Sequence, residues 1–192
     1  FGENVSSFAC NADNNCYGTD VETFVVDENN LIYTSKDGVL YSKRDDGRYD
    51  LELYPIAKKD ESFTVSTDVA TVDKYALSGN PYVREITIDG SDFEMNTIYA
   101  LYNLSSMEKI TLQGTYKYVY NPSNWVSSCE SLNELYLYAD LPFSTSIFSG
   151  CDNLAQIYIG ADVTKVYGGL FGGTEASVHV DEDNKIYISY DG

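Results

Sequence analysis

The sequence predicts a β-rich solenoid, a coil of stacked strands, with an inserted antiparallel β-meander. Three observations predict it: a strand-like hexapeptide recurs about every 24 residues, a second apolar marker keeps the same spacing, and turn residues divide one early segment. One coil of that length cannot bury its own apolar side chains, whereas stacked coils can, because each covers the next. A β-sandwich with regularly spaced strands is the alternative that such spacing leaves open.

The recurring hexapeptide has apolar residues at its first, fourth and sixth positions. Alternate side chains of a strand face opposite sides, so the fourth and sixth residues point inward and the fifth points outward. A degenerate further copy begins at Val178, and an upstream copy predicts a strand within residues 21–26. The inward set is predicted to be Val83, Ile86, Ile88, Met107, Ile110, Leu112, Leu132, Leu135, Leu137, Leu154, Ile157 and Ile159.

The second marker is an apolar residue a few positions ahead of each hexapeptide. Its copies step by 24, 25, 22 and 23 residues. Two markers that keep one period favour the solenoid over the sandwich. The copies are Leu77, Leu101, Val126, Phe148 and Phe171.

The early segment carries the turn residues of a β-meander. Leu31–Thr34 is predicted to pair with Val39–Tyr41 through Asp37-Gly38, a strong hairpin signal. A second turn at 45–47 leads to a third strand at Leu51–Tyr54.

Part of this segment recurs at the other end of the sequence. Residues 26–38 and 180–192 are identical at nine of thirteen positions. We therefore expect a second hairpin that continues past Gly192, and a chain that, opening on Phe1, is a trimmed piece of a larger protein. The expected organisation is one domain, 1–192, with an irregular cap at 1–20, a strand and meander insertion at 21–66, regular repeats at 67–179 and a truncated hairpin at 180–192.

The composition restricts the possible functions. A net charge of −18 disfavours binding to nucleic acid or to an anionic membrane surface. No apolar run approaches the roughly 20 residues that span a bilayer. The sequence contains one histidine, His179, so a multi-histidine metal site is impossible and any Ser-His or Cys-His pair would need that residue. Strand alternation places His179 on the exposed side, and we expect no enzyme activity.

Three motifs resemble the BspA-like leucine-rich-repeat family of bacterial surface proteins. They are residues 127–132, 146–159 and 33–43, and the resemblance covers roughly residues 20–192. It implies a leucine-rich-repeat solenoid: a right-handed superhelix with parallel strands on one concave face. It also implies an exported, cell-surface protein of the kind that takes part in adhesion. The repeat containing Pro122 and the first twenty residues depart from the family pattern.

The outward residues of adjacent strands form the candidate binding patch. Strand neighbours lie about 4.8 Å apart, so the tyrosines of the last strands are expected to cluster. Clustered exposed aromatic residues are typical of binding sites for proteins or sugars. The alternative is that tyrosine suits a half-exposed sheet and pairs across strands. The patch consists of Tyr136, Tyr138, Tyr158, Glu134, Gln156, Lys109 and Thr111.

The cysteines are of two kinds. Cys129 and Cys151 share one repeat position, where the resemblance implies small buried thiols. We expect them to be free, although adjacent coils would also allow a disulfide. Cys10 and Cys16 lie outside the repeats and could form a disulfide in an end cap.

One early segment has the spacing of calcium ligands. Asn11, Asp13, Asn15 and Glu22 fall at EF-hand positions, but Cys16 stands where the loop needs glycine. This is a weak metal candidate, and no cofactor is expected.

The sequence therefore predicts a binding module that recognises a protein or glycan on host or neighbouring cells through its strand face. It is expected to be a monomeric part of a larger chain. The alternative function is a structural spacer that holds another domain away from the cell.

Overall fold

The structure is a computed structural model that describes residues 1–7, 20–119, 122–171 and 175–188. These residues form strands and turns, and none of them forms a helix able to cross a membrane. The strands are β1 (Tyr33–Lys36), β2 (Val39–Lys43), β3 (Tyr49–Leu53), β4 (Ser62–Val65), β5 (Val69–Val72), β6 (Leu77–Ser78), β7 (Glu85–Glu94), β8 (Leu101–Tyr102), β9 (Lys109–Lys117), β10 (Val126–Ser127), β11 (Glu134–Leu137), β12 (Phe148–Ser149), β13 (Gln156–Ile159) and β14 (Ser177–Val180).

A six-stranded parallel sheet forms the main face of the molecule. Its order is β14-β13-β11-β9-β7-β4, so each coil adds one strand beside the previous one. Ile86, Ile110, Leu135 and Ile157 are paired in register from strand to strand, and each is at most 1% exposed. This continuous interior column confirms the predicted solenoid, and the twelve residues of the predicted inward set are all buried.

A second parallel sheet of two-residue strands forms another side of each coil. Its order is β12-β10-β8-β6. Leu77, Leu101, Val126 and Phe148 are in register and buried, as the second marker predicts. Phe171, the last copy of that marker, is only partly buried and packs against the core.

The predicted meander is present and joins the solenoid directly. β1, β2 and β3 pair antiparallel, and β3 then pairs parallel with β5. The first strand begins at Tyr33, two residues later than predicted. The reason is that Oδ1 of Asn30 accepts the N–H groups of Ile32 and Tyr33, which fixes a turn where the strand was expected.

Two strand assignments need correction. The strand predicted within residues 21–26 is absent, because Phe24 N–H donates to the Gly38 carbonyl and Val26 N–H donates to Ser35 Oγ instead of entering a ladder. The sheet begins instead with β4, which the sequence did not reveal. Its hexapeptide has Asp60 at the first position, where the four regular copies, those of β7, β9, β11 and β13, have an apolar residue.

The hairpin expected from residue 180 onward lies partly outside the described residues. β14 ends at Val180, and residues 181–188 form turns and irregular backbone. Residues 189–192 are not described.

Candidate functional site

Outward side chains of neighbouring strands form rows that cross the six-stranded sheet near its β14 end. The parallel register brings Lys109, Glu134 and Gln156 side by side in the first row. Thr111, Tyr136 and Tyr158 are side by side in the middle row. The predicted patch residues therefore lie together on β9, β11 and β13, with Tyr138 directly after β11.

The middle row contains a continuous stack of rings. The centroids of Tyr136 and Tyr158 are 4.4 Å apart with planes inclined by 11°. His179 extends the stack, with its ring 4.9 Å from that of Tyr158 and inclined by 20°. Tyr138 stands beside the stack, its centroid 6.2 Å from that of Tyr136 and its plane inclined by 34°. We call Tyr136, Tyr138, Tyr158 and His179 the aromatic face.

A hydrogen bond fixes the His179 ring at the end of the stack. Its Nε2 lies 2.5 Å from Oε1 of Gln156. An amide oxygen can only accept, so Nε2 carries the proton and donates. The pair links the first and middle rows.

Lys109 covers the opposite end of the stack. Its Nζ lies 5.1 Å from the centre of the Tyr136 ring and 3.3 Å from Oε2 of Glu85. A cation over a tyrosine ring is attracted by the ring's negative face. Lys109 is thus held by both a ring and a carboxylate.

The environment of Tyr136 disfavours its ionisation. Burial contributes most, followed by a hydrogen bond to Glu134, the charge of Glu134 and the neighbouring Tyr158 hydroxyl. Together they raise the pKa of Tyr136 from 10.0 to about 12. The hydroxyl therefore stays a hydrogen-bond donor at physiological pH.

A shallow cleft of about 170 Å³ opens beside the aromatic face. Gly160 forms part of its lining, and a Cβ at that position would clash with the ring of Tyr138. The glycine therefore allows this ring to lean over the backbone of the next strand. The complete lining is Tyr136, Tyr138, Tyr158, Ile159, Gly160, His179, Val180 and Asp181.

Asn184 holds the backbone of Gly160 in place through hydrogen bonds. Its Nδ2 donates to the carbonyls of Gly160 and Val163 at 2.8 and 3.0 Å. Since Asn184 is only 8% exposed, these hydrogen bonds are shielded from water. They hold the backbone of the cleft in place.

The patch residues differ in how much surface they offer. Tyr138 is 47% exposed, whereas Thr111 is only 9% exposed and contributes little contact area. His179 and Asp181 were missed by the sequence reasoning, which treated His179 as an isolated exposed residue. The prediction that the degenerate copy begins at Val178 is wrong by three residues, because Val178 pairs with Ile157, the fourth residue of its hexapeptide. The copy begins at Glu175, and this register brings His179 into the same row as Tyr158.

The other predicted sites contribute no described ligand set. Cys129 and Cys151 are buried free thiols, as expected. Asn11, Asp13 and Asn15 of the calcium candidate, and Cys10 with Cys16, lie outside the described residues. Glu22 is described and pairs with Lys59 at 3.3 Å. Within the described part of the chain, no three His, Cys, Asp or Glu side chains are placed to hold a metal ion.

A second tyrosine cluster lies on the β6–β8 side of the coils. The rings of Tyr75 and Tyr99 are 5.7 Å apart and nearly parallel, and Tyr102 is edge-on to both. Tyr75 and Tyr99 adopt left-handed backbone angles, with φ of 64° and 57°. The sequence reasoning did not identify this cluster.

A larger cleft lies near the last turns. It measures about 470 Å³ and has no aromatic lining; it is lined by Ala161, Asp162, Thr164, Asp183, Lys185 and Ile186.

Coils of about 24 residues, each adding one strand to a parallel sheet around an apolar column, define a leucine-rich repeat protein. Residues 57–177 match the BspA-type leucine-rich repeat region in six copies. This match covers more than half of the chain, so the chain belongs to the BspA-type leucine-rich repeat family.

Two solved structures are similar to this chain. One is a leucine-rich repeat protein from Eubacterium ventriosum, with 26% identity and a TM-score of 0.52 over 72% of this chain and 36% of that one. The other is a leucine-rich cell surface protein from Faecalibacterium prausnitzii, with 22% identity and a TM-score of 0.51 over 88% of this chain and 42% of that one. This chain thus spans less than half the length of either. No curated protein matches it significantly.

Proposed function

We propose that this chain is a non-enzymatic binding module of an exported bacterial surface protein. In this proposal it recognises a protein or a glycan on host or neighbouring cells through the aromatic face. It acts as a monomeric part of a larger chain, without binding nucleic acid or inserting into a membrane. Family membership and the likeness to a cell surface protein from Faecalibacterium prausnitzii support the surface location.

The observation that carries the proposal is the aromatic stack. Rings of Tyr136, Tyr158 and His179 lie in contact, and the 47% exposed ring of Tyr138 stands beside them. Rigid rings give large contact area at a small cost in conformational entropy, which is why tyrosine is enriched in binding hot spots. A ready-made surface of this kind needs little reorganisation to bind a ligand.

Binding can be tested with a variant that removes the rings. The purified chain is screened against extracellular matrix proteins and an array of glycans. The variant Tyr136→Ser/Tyr138→Ser/Tyr158→Ser is expected to lose the binding that the unchanged chain shows. The control Tyr82→Ser/Tyr118→Ser removes two exposed tyrosines elsewhere and is expected to bind normally. Thermal unfolding of each variant verifies that the solenoid has remained folded.

A spacer function is the competing outcome of the same screen. The stacked coils form one continuous hydrophobic core, as a rigid spacer would require. If no protein or glycan binds, the spacer is favoured and the binding module is rejected. If the triple variant binds as well as the unchanged chain, recognition occurs on another surface.

A further inference from the structure

A gap in one row of side chains creates the cleft. In successive coils this row holds Tyr138, Gly160 and Asp181, as the backbone hydrogen bonds from Gly160 N–H to Leu137 and from Asp181 N–H to Ile159 establish. Strands lie about 4.8 Å apart, so the backbones of Tyr138 and Asp181 are separated by about 10 Å. The ring of Tyr138 leans over the intervening Gly160, toward the coil that carries Asp181.

The lining combines aromatic rings with one carboxylate. Tyrosine and histidine rings form the walls, and Asp181 is the single acidic side chain among the lining residues. Asp181 is exposed, and Oδ1 accepts the backbone N–H of Asp183 at 2.9 Å. Within the described residues, no lysine or arginine forms an ion pair with Asp181. Rings beside a carboxylate attract a cation.

The molecule uses the same arrangement internally, with its own lysines as the cation. Lys109 lies between the ring of Tyr136 and the carboxylate of Glu85. Nζ of Lys36 likewise lies 3.7 Å from the centre of the Tyr49 ring and 2.5 Å from Oδ2 of Asp68. The cleft has the ring and the carboxylate of this arrangement, but its cation has to come from another molecule.

The charge of the whole chain favours a basic partner. A net charge of −18 creates a field that attracts cationic surfaces and speeds their association. Anionic ligands such as sulfated or sialylated glycans would be repelled by the same field. Charge therefore favours a basic partner over an anionic glycan, whereas the aromatic rings alone would suit either.

The cleft has a volume of about 170 Å³, well below that of a pocket for a drug-sized ligand, and suits a single side chain. The geometry of the guanidinium group favours arginine over lysine as that side chain. A planar guanidinium can stack on a ring while it donates two parallel hydrogen bonds to a carboxylate, whereas an ammonium group contacts both only as a point charge, as Lys36 and Lys109 do.

We propose that the cleft receives the guanidinium group of an arginine side chain from a basic partner protein. The group stacks on the ring of Tyr138 and donates to the carboxylate of Asp181. This inference rests on the proposed function, because it names the chemistry that the aromatic face recognises. The partner's arginine would thus lie between a ring and a carboxylate, as Lys109 does within the chain.

Three capped amino acids serve as probes: arginine, its neutral analogue citrulline, and lysine. Titration of the full chain is followed by the NMR signals of the cleft residues. Arginine is expected to produce saturable shifts, lysine to bind about 3-fold more weakly, and citrulline about 10-fold more weakly or not at all. Added salt should weaken the binding of arginine.

Matched variants test the geometry. Asp181→Asn is expected to weaken arginine binding about 5-fold or more, because the charge is lost while the size is kept. Asp152→Asn removes another exposed carboxylate, outside the cleft, and should leave binding unchanged. Both positions lie on the surface, so neither variant is expected to disturb folding.

The outcomes separate this inference from the proposed function. Equal binding of arginine and citrulline, no binding of arginine, or no effect of Asp181→Asn would overturn the arginine site. A neutral oligosaccharide that binds the unchanged chain and Asp181→Asn equally, but not the triple tyrosine variant, would overturn the arginine site and support the binding module. If no protein or glycan binds in the screen described above, the binding module itself is rejected.

Discussion

Asn30 and Asn184 make the same four hydrogen bonds in two distant coils. In each case Nδ2 donates to two carbonyls of a tight turn in the neighbouring segment, and Oδ1 accepts two N–H groups just after the asparagine itself. Each side chain thus fastens two passes of the chain together while it satisfies buried backbone groups. The partners are Gly2, Val5, Ile32 and Tyr33 for the first asparagine, and Gly160, Val163, Ile186 and Tyr187 for the second.

Asn80 makes the third such clamp, and its removal should be costly. It is 1% exposed and binds Pro55, Lys58, Tyr82 and Val83 in the same way. Asn80→Ala would leave four backbone groups without this partner. We expect a loss of about 3 kcal/mol in the free energy of unfolding, measured by urea denaturation.

Asn153 provides the matched control for this clamp. Its Nδ2 donates to the Glu130 carbonyl at 2.7 Å from an exposed position. Asn153→Ala is expected to cost less than about 1 kcal/mol. Equal effects of the two substitutions would show that the Asn80 clamp has no special role.

The sequence predicts the stacking of the coils but not these asparagine clamps. The period predicts the buried column of Ile86, Ile110, Leu135 and Ile157, because identical coils can only stack in register. The identity between residues 26–38 and 180–192 predicts a second hairpin, and the asparagine that the two copies share binds a segment more than twenty residues earlier. The sequence alone does not show which distant segment such an asparagine binds.

The candidate site was predictable to a similar extent. Register placed Tyr136, Tyr138 and Tyr158 together, since strand spacing and alternation are fixed. The cleft depends on the absent side chain of Gly160, and its carboxylate belongs to the turn after the last strand. Neither follows from strand alternation.

Asp73 should make stability depend on pH. Burial, the charges of Glu52 and Asp50, and a hydrogen bond to Glu52 raise the pKa of Asp73 from 3.8 to about 7. The folded state therefore holds a proton that the unfolded chain releases, so this contribution to stability is present below about pH 4 and is lost as pH rises through 7.

The variant Asp73→Asn isolates this effect. The amide cannot ionise, so the variant should lose less stability than the unchanged chain between pH 5 and pH 8. After screening by solvent, the difference is expected to be about 1 kcal/mol in the free energy of unfolding. The same pH dependence in both proteins would exclude Asp73 as its source.

Cys129 and Cys151 should react only when the chain unfolds. A hydrogen bond to Cys151, together with burial, raises the pKa of Cys129 above its ordinary value. The same hydrogen bond lowers the pKa of Cys151, so burial alone protects that thiol. The thiolate is the reactive form, and both side chains are nearly inaccessible. In a Cys10→Ser/Cys16→Ser background, a thiol reagent is expected to label these two cysteines in urea and not under native conditions. Rapid labelling of the native protein would contradict their buried placement.

Gly114 and Gly47 form a pair that separates steric clash from backbone strain. Both have left-handed backbone angles, with φ of 86° and 84°. Gly47 has open space around it, whereas a Cβ on Gly114 would clash with the carbonyl of Gly90 in the paired strand. Gly47→Ala should therefore cost about 1 kcal/mol, the strain of a left-handed alanine. Gly114→Ala should cost at least about 2 kcal/mol more, because two strands must move apart. Urea denaturation of both variants measures this difference, and equal losses would show that β7 and β9 can separate at this point without cost.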